Sequence, residues 1–197
     1  ANFYTRNYFP AYNNGPFVLS KNVFDMNVLN NGLQFWRRIK FDPTSIRSPG
    51  GIQLSEFILY NTDGDQISIS SASADGESGG YFGAGTQTVD KLIDGNNSTK
   101  MYYTNFTSSF SVIFDLGSLK TVTSYRMETG EDVNGRDPVA WKIWGSVDTS
   151  GSNWHLLDTR ENTNVPTDRL ENTTLYHIKN TKETISVANP VDYDKRI

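Results

Sequence analysis

Val89-Asp-Lys-Leu-Ile-Asp94-Gly-Asn-Asn-Ser-Thr99-Lys-Met-Tyr-Tyr103 is the stretch from which the fold is read most directly. The apolar pair Leu92 and Ile93 runs into Asp94-Gly95-Asn96, then into the hydroxyls of Ser98 and Thr99, then into aromatics. Asp-Gly-Asn is turn chemistry: glycine takes positive φ without steric cost, and the flanking Asp and Asn side chains bond nearby backbone. The same turn gathers hard oxygen atoms, the ligand type that calcium prefers. Its alternative reading is a plain turn in which Asp94 caps backbone amides.

Outward from this turn, the chain reads as strands. Leu33, Phe35, Ile39 and Phe41 fall on one face by period 2, with Trp36, Arg38 and Lys40 on the other. A second strand is predicted over 52–60, closed by the Asn-Thr-Asp-Gly turn at 61–64, with 66–71 as its hairpin partner. Residues 72–88, rich in Gly, Ser and Ala, read as a long loop. Alternation returns over 110–116, 122–127, 139–147, 154–157 and 174–178, and no amphipathic helix of three turns is evident. Many short strands with frequent turns predict an all-β, antiparallel jelly-roll β-sandwich. Residues 1–32, where Asn, Tyr, Phe, Pro and Gly mix without period, read as an extended aromatic arm. The sandwich is expected over 33–180, and 181–197 is a tail or last strand.

Composition narrows the function. The 197 residues carry 18 Lys and Arg against 22 Asp and Glu, a net charge of −4, with no basic block to meet a phosphate backbone; nucleic acid is not an expected partner. No apolar run approaches the roughly 20 residues of a membrane span. The N-terminus has no basic-then-apolar signal pattern, which leads to the expectation of a complete protein without a signal peptide. There is no cysteine, hence no thiol nucleophile and no disulfide. His155 and His177 lie in predicted strands without metal-ligand spacing, and the glycines of 79–85 lack the Lys-Ser/Thr sequel of a phosphate loop. No pair among the acids is singled out for glycoside hydrolysis. A non-catalytic protein is expected.

Glu56 stands out on the 52–60 strand. It shares a face with Ile52, Leu54 and Ile58; were that the core face, its carboxylate would require Arg37, Arg47 or a cation as partner. The alternation equally allows Phe57 and Leu59 inward and Glu56 outward. Trp36, Trp144 and Trp154 are open to either face, and an outward indole can stack on a sugar ring. Tyr102 and Tyr103, with Tyr81 and Phe82, fall near loops, and Asn134, Arg136 and Asp137 could add polar contacts to a ligand. Rim packing is the alternative for each, and an internal Arg136–Asp137 ion pair for that pair.

Three motifs in order carry a family resemblance: Leu92-Ile93-Asp94-Gly95-Asn96 with Thr99, Ser111-Val-Ile-Phe-Asp-Leu-Gly117, and Trp144-Gly-Ser-Val-Asp148 with Trp154. Over about residues 33–178 the chain resembles the discoidin, or coagulation-factor C-type, domain. The resemblance implies a galactose-binding-like jelly roll. It also implies a structural calcium held by Asp94, by backbone oxygens near Lys91, Asn96 and Thr99, and by Glu56. Two departures are visible. Met101 stands where the family commonly has Trp. The strand Leu54-Ser-Glu-Phe-Ile-Leu-Tyr60, which normally closes such a domain, here precedes the loop, as in a circular permutation. The functional expectation is a glycan-binding attachment domain at a cell surface within a larger assembly, extracellular or on a virion surface. The alternative is a structural subunit of a phage or virus particle, whose arm at 1–32 engages other protein chains. The absence of cysteines and of a signal pattern favours this alternative.

Overall fold

The structure is a computed structural model and describes residues 34–77, 80–83 and 86–178. The predicted arm at 1–32 and tail at 181–197 lie outside the described residues. Ten strands occupy the described chain: β1 (Phe35–Ile46), β2 (Ile52–Leu54), β3 (Glu56–Tyr60), β4 (Ser71–Asp75), β5 (Met101–Tyr103), β6 (Ser111–Thr121), β7 (Ser124–Glu128), β8 (Pro138–Ser146), β9 (His155–Arg160) and β10 (Tyr176–His177). Short 3-10 turns at Val89–Leu92 and Asn134–Arg136 are the helical elements among them.

The strands form a five-stranded sheet ordered β4-β6-β1-β8-β9, a three-stranded sheet β10-β7-β3 and a two-stranded pair β2-β5, all antiparallel. Aromatic side chains join the large sheet to the smaller ones. Phe57 of β3 stacks on Phe114 of β6 at 4.7 Å and on Tyr125 of β7 at 5.7 Å, and meets Phe41 of β1 at 5.2 Å. Trp141 of β8 meets Tyr176 of β10 edge-on at 5.3 Å. Fully burying side chains of this size stabilises by about 1.5–3 kcal/mol each, so this sandwich core dominates the fold's stability. A polar knot sits within it: Trp141 Nε1 donates to Tyr125 Oη, which donates to Asp158 Oδ2, both at 2.8 Å, and Arg160 Nε donates to the same oxygen at 2.7 Å, while Asp158 Oδ1 is buried without a partner.

Four strand expectations require correction. Register shifts between Trp36 and Arg38 on β1, so Trp36 turns inward with Ile39 and Phe41 while Arg37 and Arg38 both remain partly exposed. The pairing advances two residues along β1, from Trp36 to Arg38, but five along β6, from Lys120 to Asp115, an irregularity that breaks the period of two. The 52–60 strand is not continuous. Ser55 breaks it, and its N–H donates to Glu128 O at 2.9 Å as the chain passes from the β2-β5 pair to the β3-β7 pair. Hence Glu56 and Phe57 are both buried, which neither phase of a simple alternation allows. The hairpin after 61–64 is short, with one bridge from Tyr60 to Gln66 and an Ile67 N–H bond to Leu59 O at 2.8 Å. Residues 72–75, read as the start of a long loop, instead form β4 with Ser71 along the edge of the large sheet. Their small side chains gave no apolar period, yet Ala72 and Ala74 pack against the core.

Candidate functional site

The Asp94 turn folds as its residues dictate. Gly95 takes φ 70°, and Asp94 Oδ1 accepts the Asn96 N–H at 3.0 Å. The Thr99 hydroxyl lies 2.8 Å from Asp94 Oδ2 and 2.9 Å from Asn96 O, closing the turn on itself. Lys91 reaches both Asp90 and Asp94 with its ammonium at 3.4 Å, which holds its proton above the ordinary lysine range. The sequence had assigned Lys91 only a backbone role.

Glu56 lies against this turn. It is 6 % exposed, and its Oε1 is buried without a hydrogen-bond partner. Burial is the main force on its proton; the Asn96 amide opposes and the Asp94 carboxylate adds to it, and its pKa is pushed up to about 7. Glu128, directly opposite in the β3–β7 register, is also buried and its pKa is raised, chiefly by burial. An acceptor-only oxygen left orphaned between a turn of oxygens and a second acid fits a hard cation. The residues that could hold one are Glu56 and Asp94, helped by oxygens of Lys91, Asn96 and Thr99. No group of three acid, His or Cys side chains gathers anywhere among the described residues, so backbone and hydroxyl oxygens would have to complete such a shell. A cleft of about 260 Å³ opens beside Glu56, walled by Ile67, Ile69 and Ile93.

The six residues expected to meet a ligand separate into three places. Tyr102, Asn134 and Arg136 come together at the end of the sandwich where the loops after β1, β5 and β7 meet. The Tyr102 ring lies flat over the chain because Gly51 and Gly83 carry no side chains; a β-carbon there would sit 2.5 and 2.6 Å from the ring. The Arg136 guanidinium lies 4.1 Å from the ring centroid, and its Nη1 lies 3.2 Å from Asp132 Oδ2 and 3.4 Å from Gln53 Oε1. Asn134 O accepts from Arg47 Nε at 3.1 Å. Tyr81 and Val133 are the exposed apolar groups of this rim, at 66 % and 50 %.

Tyr103 and Asp137 are not available to a ligand. Tyr103 is drawn into the core, stacked on Phe110 at 4.4 Å, because alternation along β5 sends it to the face opposite Tyr102. Asp137 is fully buried and accepts from Arg169 Nη1 and Nη2 at 3.0 and 2.7 Å, with Arg47 at 3.5 Å. Its partner is therefore Arg169, not Arg136. Trp144 is on the outer face of the large sheet, its Nε1 donating to Asp42 Oδ2 at 3.1 Å.

Sequence reasoning missed Lys100, which is 4 % exposed and pairs with Asp132 at 2.8 Å and Glu131 at 3.4 Å. This pair fixes the loop from which Arg136 projects. A lysine between Thr99 and Met101, at the mouth of a strand, was its only mark.

With this geometry in view, comparison by family decides the relationship: the F5/8 type C domain family matches residues 66–191. The chain belongs to that family. Domains of the F5/8 type C family are generally non-catalytic binding modules, often for carbohydrate or phospholipid, and typically extracellular. Comparison with curated proteins and with solved structures returns no match. The matched segment begins after β3, so the strand carrying Glu56 lies N-terminal to it yet sits against the Asp94 turn inside it. Among the described residues, no helix is long and apolar enough to cross a membrane.

Proposed function

We propose that this F5/8 type C domain binds a glycan at the loop end of its sandwich, through Tyr102 and Arg136, and serves attachment to a cell surface. The observation that carries this reading is the half-buried Tyr102 ring at the loop end, seated against two glycines, with the Arg136 guanidinium 4.1 Å from its centroid and held there by Asp132, itself paired with Lys100. Aromatic faces stack on the CH faces of sugars, and a fixed guanidinium donates to their hydroxyl or carboxyl oxygens. Tyr81 and Asn134 complete a rim of the kind that recognises saccharides: apolar surface with a few placed polar groups.

A structural calcium at the Asp94 turn belongs to the same proposal. Glu56, Asp94 and Thr99, with backbone oxygens near Lys91 and Asn96, would hold it. When bound, it would neutralise the two buried-side acids and tie β3 to the 94–99 loop. The reading of the chain as a particle subunit rests on sequence features alone, chiefly the arm at 1–32, which lies outside the described residues; no observation of the fold favours it.

A glycan array probed with the whole protein, with calcium and with chelator, tests the proposal. Binding to a defined set of glycans is expected. Silence across the array under both conditions would overturn it.

A further inference from the structure

The outer face of the five-stranded sheet is a separate surface with its own chemistry. Cross-strand register places Ser73, Ile113, Lys40, Trp144 and Leu156 in one row across β4, β6, β1, β8 and β9. The Lys40 ammonium lies 5.4 Å from the Trp144 ring centre and 5.0 Å from that of Trp154. Lys142, next along β8 on the same face, lies 6.0 Å from Trp144. Leu156 at the end of the row is 44 % exposed. The turn at Gly151, with φ 68°, brings Trp154 beside Arg38: a β-carbon on Gly151 would sit 3.3 Å from the indole and 3.2 Å from Arg38 Nη1.

Charge on this face does not balance internally. Asp115 is engaged by Arg37 at 2.9 Å and Arg38 at 3.5 Å. Asp42 accepts the Trp144 indole N–H. Lys40 and Lys142 make no ion pair among the described residues, although the protein as a whole carries a net charge of −4. Asp42 stands opposite Lys142 in the β1–β8 register but is bonded to the Trp144 indole and forms no ion pair with either lysine, so two ammonium groups among two indoles face one acid, and cations so placed are strong donors to an incoming anion.

We infer that this face is a second binding surface, distinct from the loop end, and that its occupant is an anionic saccharide. β1 and β8 are paired on both sides, so their backbones are fully used and the face offers side chains only. An acidic peptide gains most by adding a strand to an open edge, here β4 or β9, where it would lie beside Lys40 and Trp144 rather than over them. A saccharide chain lays its CH faces on Trp144, Trp154 and Leu156 while its carboxylate or sulfate groups meet Lys40 and Lys142.

The test uses the whole protein and calorimetric titration at low salt with three probes: a heparin-derived oligosaccharide, an oligogalacturonate and a neutral maltooligosaccharide. At least one anionic probe is expected to bind, and comparing the two identifies sulfate or carboxylate as the anion read. The double substitution Lys40→Gln with Lys142→Gln is expected to weaken that binding roughly tenfold or more, while Lys40→Arg with Lys142→Arg retains it. Trp154→Ala is expected to weaken it without a charge change; every protein compared, the reference included, carries Arg136→Gln, so that a glycan held at the loop end does not enter the titration. The inference is overturned if neither anionic probe binds, if the lysine-to-glutamine or Trp154→Ala variants bind as tightly as the reference, or if poly-glutamate binds as well as the saccharides. None of these outcomes depends on whether the loop end binds a glycan.

Discussion

Glu56 is the residue on which the most physics converges. Its pKa rises from the ordinary 4.5 to about 7 in the fold, so between these values the unfolded chain has released a proton that the folded chain still holds. Folding stability of the metal-free protein therefore falls as pH rises through this window, by up to about 3 kcal/mol from this group alone. A chelated sample is expected to melt lower at pH 8 than at pH 5, and Glu56→Gln to flatten that slope. Calcium should restore the midpoint at pH 8 in wild type and not in Glu56→Gln; a midpoint indifferent to calcium in both would remove the metal from the account. Asp137 offers the opposite case, a buried acid whose partners are complete. Replacing Arg169 by Met would strand its carboxylate, at a cost of about 3–5 kcal/mol. Urea unfolding measures this, and a loss below 1 kcal/mol would mean that Arg47 alone satisfies the site.

At the scale of the element, legibility followed the physics of each segment. The turn chemistry of Asp94-Gly95-Asn96 was readable because it is local: each bond closes within five residues. The break at Ser55 was not, because the bond that makes it is to Glu128, far along the chain. Periodicity could not place Glu56, since it assumes one sheet and the chain there changes sheets. β4 escaped notice because Ser and Ala fill a strand without an apolar stripe. Of the expected ligand residues, Tyr102 and Tyr103 are neighbours that a strand sends to opposite faces, so at most one of them could face a ligand. The glycines beneath Tyr102 make a further prediction. Gly83→Ala, whose β-carbon would meet the side chains of Gln87 and Tyr102, is expected to lift the ring and to reduce glycan affinity about tenfold, with little change in the far-ultraviolet circular dichroism. Unchanged affinity would show that the ring's position is immaterial.

For the whole molecule, the sandwich follows from the alternation of its strands, and the family from three motifs spread over more than fifty residues. What the sequence could not show was how the ends of the molecule are used. Lys100, Asp132 and Gln53 are far from one another in sequence, and only the folded chain makes them a support for Arg136. The chain also builds its sheet from strands before and within the matched segment: β1 lies before residue 66 yet is central in the five-stranded sheet. That arrangement puts Glu56 where the permuted order requires it, against the Asp94 turn. The central claim, that the loop end binds a glycan through Arg136 and Tyr102, is tested most directly by titrating the strongest array glycan into wild type and Arg136→Gln. The account predicts at least a tenfold loss of affinity with an unchanged melting temperature. Full affinity in Arg136→Gln would contradict it.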